Sequence, residues 1–102
     1  MHLVQILLPL YDNGGTPFPF QEYLRVRDEL SQRFGGITAY VRSPAEGVWH
    51  VTPGNTVRDD IVIYEIMTEQ LDQTWWREYR EKLTTRFRQD MLIIRVSEVQ
   101  LL

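Results

Sequence analysis

Leu30-Ser31-Gln32-Arg33-Phe34-Gly35-Gly36-Ile37-Thr38-Ala39-Tyr40-Val41-Arg42 is the stretch on which the fold turns. Its first half closes a helix. Phe20, Tyr23, Leu24, Arg27, Leu30 and Phe34 fall at helical spacing, and Gly35-Gly36 supplies a C-terminal stop. Its second half alternates as a strand does, with Ile37, Ala39 and Val41 on one side and Thr38, Tyr40 and Arg42 on the other. A helix that empties into a strand is half of a βαβ unit. The same marks return 53 positions later, where Leu83, Arg86, Phe87 and Arg95 repeat Leu30, Arg33, Phe34 and Arg42. The chain therefore reads as two related halves.

Working outward, Leu3 to Leu8 is a nearly all-apolar strand, the pattern of a strand covered on both faces. Asp12 to Pro17 is a loop by composition. Pro19 suits a first helical turn, so the first helix is expected over Phe18 to Phe34. After Arg42, Ser43-Pro44-Ala45-Glu46-Gly47 interrupts the strand and Val48 to Val51 resumes it. The expectation is one bent strand, kinked at Pro44 to Gly47. Asp60 to Met67 is the next strand. Thr68 is placed to cap a second helix, whose inner face carries Leu71, Trp75, Trp76, Tyr79, Leu83 and Phe87. Met91 to Val96 is the last strand.

The resulting order predicts an α+β fold, a ferredoxin-like βαββαβ sandwich. It has a four-stranded antiparallel sheet, two helices on one face, and an extended, kinked hairpin between the second and third strands. The alternative is an open α+β sheet in which the Trp49 segment is a separate fifth strand. A length of 102 residues suits one such domain, residues 1–102. The composition, 43% hydrophobic and 25% charged, is that of a globular chain. The apolar start is too short to span a membrane and lacks a cationic leader, so the expected location is the cytoplasm. A net charge of -3 argues against nucleic acid and anionic membrane as partners.

Strand parity leaves an outward sheet face of Leu3, Leu7, Ile61, Ile63, Met91 and Ile93 around Gln5, Thr38, Tyr40, Arg42, Glu65 and Arg95. Six large apolar residues on an uncovered face point to an interface, and a homodimer pairing face to face would cover them. A cleft left between the partners would suit a small-molecule ligand. Glu65 reads either as a general base or ligand acceptor, or as half of a structural Glu–Arg pair near Tyr40 and Arg42. His50 reads as a proton shuttle with Trp49 as an apolar wall, or as an exposed residue beside an anchoring tryptophan. Arg42, Arg58 and Arg95 could clamp an anion, or be neutralised by nearby acids. The candidate set is thus Glu65 and His50 for catalysis, and Tyr40, Arg42, Trp49, Glu65 and Arg95 for ligand binding. Two histidines and no cysteine give no metal motif, and the glycine pairs make no phosphate loop, so no cofactor is expected.

The stretch Arg33 to Tyr40, with Gly47-Val48-Trp49, Asp60 and Arg86-Phe87 through Gln89, resembles a family of uncharacterised small bacterial proteins. Some relatives of that group are exported lipoproteins with a similar Phe-x-x-Gly-hairpin-Trp layout. The resemblance covers most of the chain from the first helix onward and carries no activity to transfer. More distantly, the layout is similar to dimeric α/β-barrel proteins, among them cofactor-independent monooxygenases and stress-response proteins. Three functions follow as alternatives. One is a module binding a small anionic or aromatic ligand through Tyr40, Arg42 and Glu65. The second is a cofactor-free enzyme with Glu65 or His50 as base, and the third is a purely structural interaction module.

Overall fold

A computed structural model describes residues 1–35 and 61–102, and the backbone of 38–42, 50–52 and 55–56. The elements run β1 (His2–Pro9), α1 (Phe20–Phe34), β2 (Thr38–Arg42), β3 (His50–Thr52), β4 (Asn55–Thr56), β5 (Ile61–Thr68), α2 (Gln73–Arg86) and β6 (Ile93–Glu98). β1 pairs antiparallel with β5 on one side and β6 on the other. The five residues of β2 pair antiparallel along the far edge of β5, giving the order β2-β5-β1-β6. The chain is α+β, with a connectivity compatible with a ferredoxin-like arrangement.

The central position of β1 explains its composition. Val4, Ile6 and Leu8 are fully buried beneath the helices, whereas Leu3, Gln5 and Leu7 are half-buried on the opposite face. β5 supplies Val62, Tyr64 and Ile66 to the same core, and the helices answer with Tyr23, Val26, Leu30, Trp76, Tyr79 and Leu83. Leu30 and Leu83, the repeated leucines, are both fully buried. Phe87 closes the core between Phe18 and Tyr23, with ring centroids 5.1 and 5.7 Å away. Two tyrosine hydroxyls fix α1 over the sheet. Tyr23 donates to the Pro9 carbonyl at 2.6 Å, and Tyr64 donates to the Tyr23 carbonyl at 2.9 Å. Burial raises the Tyr23 phenol to about 12, so it stays a donor throughout the neutral range.

The repeated arginines tie the helices to each other reciprocally. Arg86 of α2 grips Glu29 of α1 with two nitrogens, at 2.6 and 3.0 Å, and Tyr79 donates to the same carboxylate at 3.0 Å. Arg33 of α1 reaches Asp72 at the start of α2 at 3.7 Å, with its guanidinium 4.3 Å from the Trp75 ring centroid. The aromatic residues of the second helix are therefore core and inter-helix contact.

Three boundaries differ from expectation. α1 begins at Phe20, because Pro17 and Pro19 flank Phe18. A residue before proline is held extended, and Pro19 itself sits at ψ 144°. Phe18 becomes a buried plug instead of a first helical residue. The cap of α2 is Asp72, whose carboxylate accepts from the Trp75 N–H at 3.1 Å. Thr68 ends β5, its hydroxyl donating to the Gln70 carbonyl at 2.7 Å. An aspartate three residues before a free helical N–H wins over a threonine still paired in the sheet. The last strand starts at Ile93 and runs to Glu98.

The expected kink at Pro44 to Gly47 lies outside the described residues. The segment beyond it does not continue in the sheet. β3 pairs with β4 in a two-stranded sheet of its own, with a register shift between His50 and Thr52.

Candidate functional site

The sheet face turned away from the helices carries one polar row among apolar ones. Register places Arg95, Gln5, Glu65 and Thr38 side by side across β6, β1, β5 and β2. Arg95 Nε donates to Gln5 Oε1 at 2.7 Å, and Gln5 Nε2 donates to Glu65 Oε2 at 2.6 Å. The glutamine amide is thus polarised from both ends, and its orientation is set by its neighbours. Among the described residues, the Glu65 Oε1 atom and the terminal nitrogens of Arg95 take no hydrogen-bond partner. The ladder so presents an acceptor and a cation about 10 Å apart, two inter-strand spacings.

Apolar rows flank it. Ile93, Leu7 and Ile63 lie in register on one side, and Leu3 and Met67 on the other. The apolar face is less open than parity alone suggests. Ile63 is only 1% exposed although it belongs to no part of the helix-side core. Leu3, Leu7 and Ile61 are half-buried. Exposure concentrates at Ile93 (49%), Met67 (57%) and Met91 (75%).

Of the candidates from sequence, Glu65 and Arg95 come together on one row, linked through Gln5. The pairing of Glu65 with Arg42 does not form that row. Antiparallel register sets Tyr40 beside Ile63 and Arg42 beside Ile61, so Arg42 stands about 13 Å further along the sheet by strand rise. Arg42 and Arg95 occupy β2 and β6, the opposite edges of the sheet. His50 lies on β3, in the separate two-stranded sheet. Trp49 and Arg58 lie outside the described residues.

Sequence reading missed two arrangements. Gln5 was legible as a polar interruption in an apolar strand, but not as the bridge between Arg95 and Glu65. The Glu29–Tyr79–Arg86 cluster was signalled only by the repeated arginine. Glu29 is held below the usual carboxylate range, first by its hydrogen bonds from Arg86, while Arg86 and Tyr79 are pushed up. That cluster spans the two helices at their interface and serves to join them. Among the described residues no group of three His, Asp or Glu side chains could hold a metal ion.

No protein-family model matches the chain, and neither does any curated protein. Among solved structures the chain is similar to a phage SAM lyase in complex with S-methyl-5'-thioadenosine. The TM-score is 0.64 at 14% identity, over 95% of this chain and 80% of that one. A likeness at that identity is one of fold. Among the described residues, no helix is long and apolar enough to cross a membrane.

Proposed function

We propose that residues 1–102 form a single ferredoxin-like domain that binds a small anionic or aromatic ligand on the sheet face away from the helices. The ladder Arg95–Gln5–Glu65 carries the reading. Arg95 offers free guanidinium nitrogens to a carboxylate or phosphate. Glu65 offers an oxygen to an amine or ring N–H. Leu7 and Ile93 give the ligand's apolar body a surface one row away. A few converging polar groups on an apolar floor are the usual make-up of a small-molecule site.

The exposed Met67 and Ile93 support a homodimer through this same face, which would roof the ladder and enclose the ligand. In this reading the protein works in the cytoplasm. Light scattering at micromolar concentration should return twice the chain mass, and a monomer there rules the dimer out.

The ligand site is tested with 4-aminobenzoate, which carries an anionic end and a donor end. Titration followed by amide NMR should shift Leu3, Gln5, Leu7, Glu65 and Ile93 saturably. Gln5→Ala and Glu65→Gln should each weaken it several-fold. No saturable shift at those positions defeats the reading. The fold likeness to an enzyme favours a second reading, a cofactor-free elimination on a nucleoside sulfonium in which Glu65 takes the β-proton of the amino-acid chain as the Cγ–S bond breaks and the sulfur keeps the electron pair. Incubation with SAM would then yield S-methyl-5'-thioadenosine and vinylglycine, and a product yield unchanged in Glu65→Gln would remove Glu65 from the role.

A further inference from the structure

A second site lies on the other side of the sheet, where α2 meets the edge strand β6. A groove of about 200 Å³ opens there, with Trp76, Ile94 and Val96 as apolar walls and Arg77, Arg80 and Arg95 among its lining. On α2, Arg80 stands four residues from Trp76 and three from Arg77, so helical geometry makes it the surface neighbour of both. No carboxylate lines the groove, and none of the three arginines forms an ion pair among the described residues. Arg95 is held by Gln5 across the strand, so Arg77 and Arg80 are the two uncompensated cations at this apolar groove, and in a chain of net charge -3 they make a local field that an anion would relieve.

We infer that this groove binds a small amphipathic monoanion, a short alkyl or aryl carboxylate whose body lies between α2 and β6 and whose head meets Arg77 and Arg80. The volume sets the size of the occupant. It is below the roughly 300 to 1,000 Å³ of pockets for drug-sized ligands, so a single ring or a short chain fits and a nucleoside does not. The planar guanidinium fork matches a carboxylate better than a bare halide or an ether oxygen would. The groove adjoins the ladder through Arg95 but differs from it in its walls, because Ile94 and Val96 lie with α2 on the helix side and Gln5 and Ile93 on the opposite one.

The test is titration with hexanoate followed by amide NMR, beside 1-hexanol and inorganic phosphate. The expected result is saturable shifts at Arg77, Arg80, Ile94 and Val96 with hexanoate in the millimolar range. 1-Hexanol and phosphate, each holding half the chemistry, should bind far more weakly. Arg77→Gln with Arg80→Gln should weaken hexanoate about tenfold, the loss expected for one charge-assisted hydrogen bond. Both positions are exposed, so the variant's unfolding midpoint should match the parent and confirm that binding alone is affected. Equal binding of 1-hexanol, unchanged affinity in the double variant, or shifts confined to Gln5, Leu7 and Ile93 would overturn the inference. The last pattern would assign the ligand to the sheet face and leave the proposal for that face standing.

Discussion

Glu29→Ala should destabilise the fold by about 3 kcal/mol, the low end of the cost of breaking a buried ion pair by removing one partner. The Arg86 side chain is 9% exposed, so without Glu29 its guanidinium loses both acceptors and has little water to replace them. Glu29 itself is 31% exposed, which keeps the figure at the low end. Tyr79 loses its acceptor in the same change. For a chain of this size the loss should lower the unfolding midpoint by about 15 °C. Urea titration followed by tryptophan fluorescence reads it directly, since Trp75 and Trp76 sit on α2. Arg86→Met combined with Glu29→Ala should cost clearly less than the two single changes together, because the stranded charge is gone. The pH dependence has a definite sign. Arg86 holds the Glu29 carboxyl below its ordinary 4.5, so the folded state binds this proton less readily than the unfolded one. Its stabilisation is complete above that ordinary value and fades as pH falls through the lower folded value. The gap between parent and Glu29→Gln should therefore close in acid. A loss below about 0.5 kcal/mol, the level of an exposed pair, or a gap unchanged down to strongly acid pH, would refute the argument.

Gly35→Ala should cost about 1 kcal/mol by chemical denaturation, because Gly35 closes α1 at φ 81° with nothing near the added methyl, leaving backbone strain alone. Asp72→Ala should cost about 1 kcal/mol through loss of the α2 cap, with Asp72→Asn recovering most of it. Phe87→Ala should cost about 3 kcal/mol or more, and Phe87→Leu less, since the fully buried ring fills the space between Phe18 and Tyr23.

The sequence carried the fold further than the site. Alternation in Leu3 to Leu8 and in Ile93 to Arg95 assigned each residue to its sheet face, because period two leaves no other choice once one face is buried. The repeated Leu, Arg and Phe marks located both helices against a common core. Boundaries were harder where two local rules competed. Pro19 suits a helix start, but the restriction it places on Phe18 was the stronger effect. Thr68 was the expected cap of the second helix, but sheet pairing holds it and Asp72 takes the role. The site was less legible because its row is long-range. Glu65 and Arg95 lie 60 and 90 positions from Gln5 along the chain, and only register brings the three together. Parity gave their shared face, but it could not give which strand neighbours which.

The row's setting is what separates it from an ordinary surface cluster. On a solvated face, an Arg, a Gln and a Glu in register would be unremarkable and worth little to stability. Here the rows on either side are Ile93–Leu7–Ile63 and Leu3–Met67. A face kept only for solubility has no need of those residues. A face kept only as an apolar dimer seam has no need of the charges, whose desolvation would oppose association. A partly polar ligand held between ladder and partner meets both conditions, since its own groups replace the water that Arg95 and Glu65 give up. Replacing the whole row by apolar residues of similar size, as in Gln5→Leu with Glu65→Leu and Arg95→Met, therefore separates the readings. A seam alone should dimerise more tightly without its charges, whereas a ligand site should lose 4-aminobenzoate altogether while the fold persists.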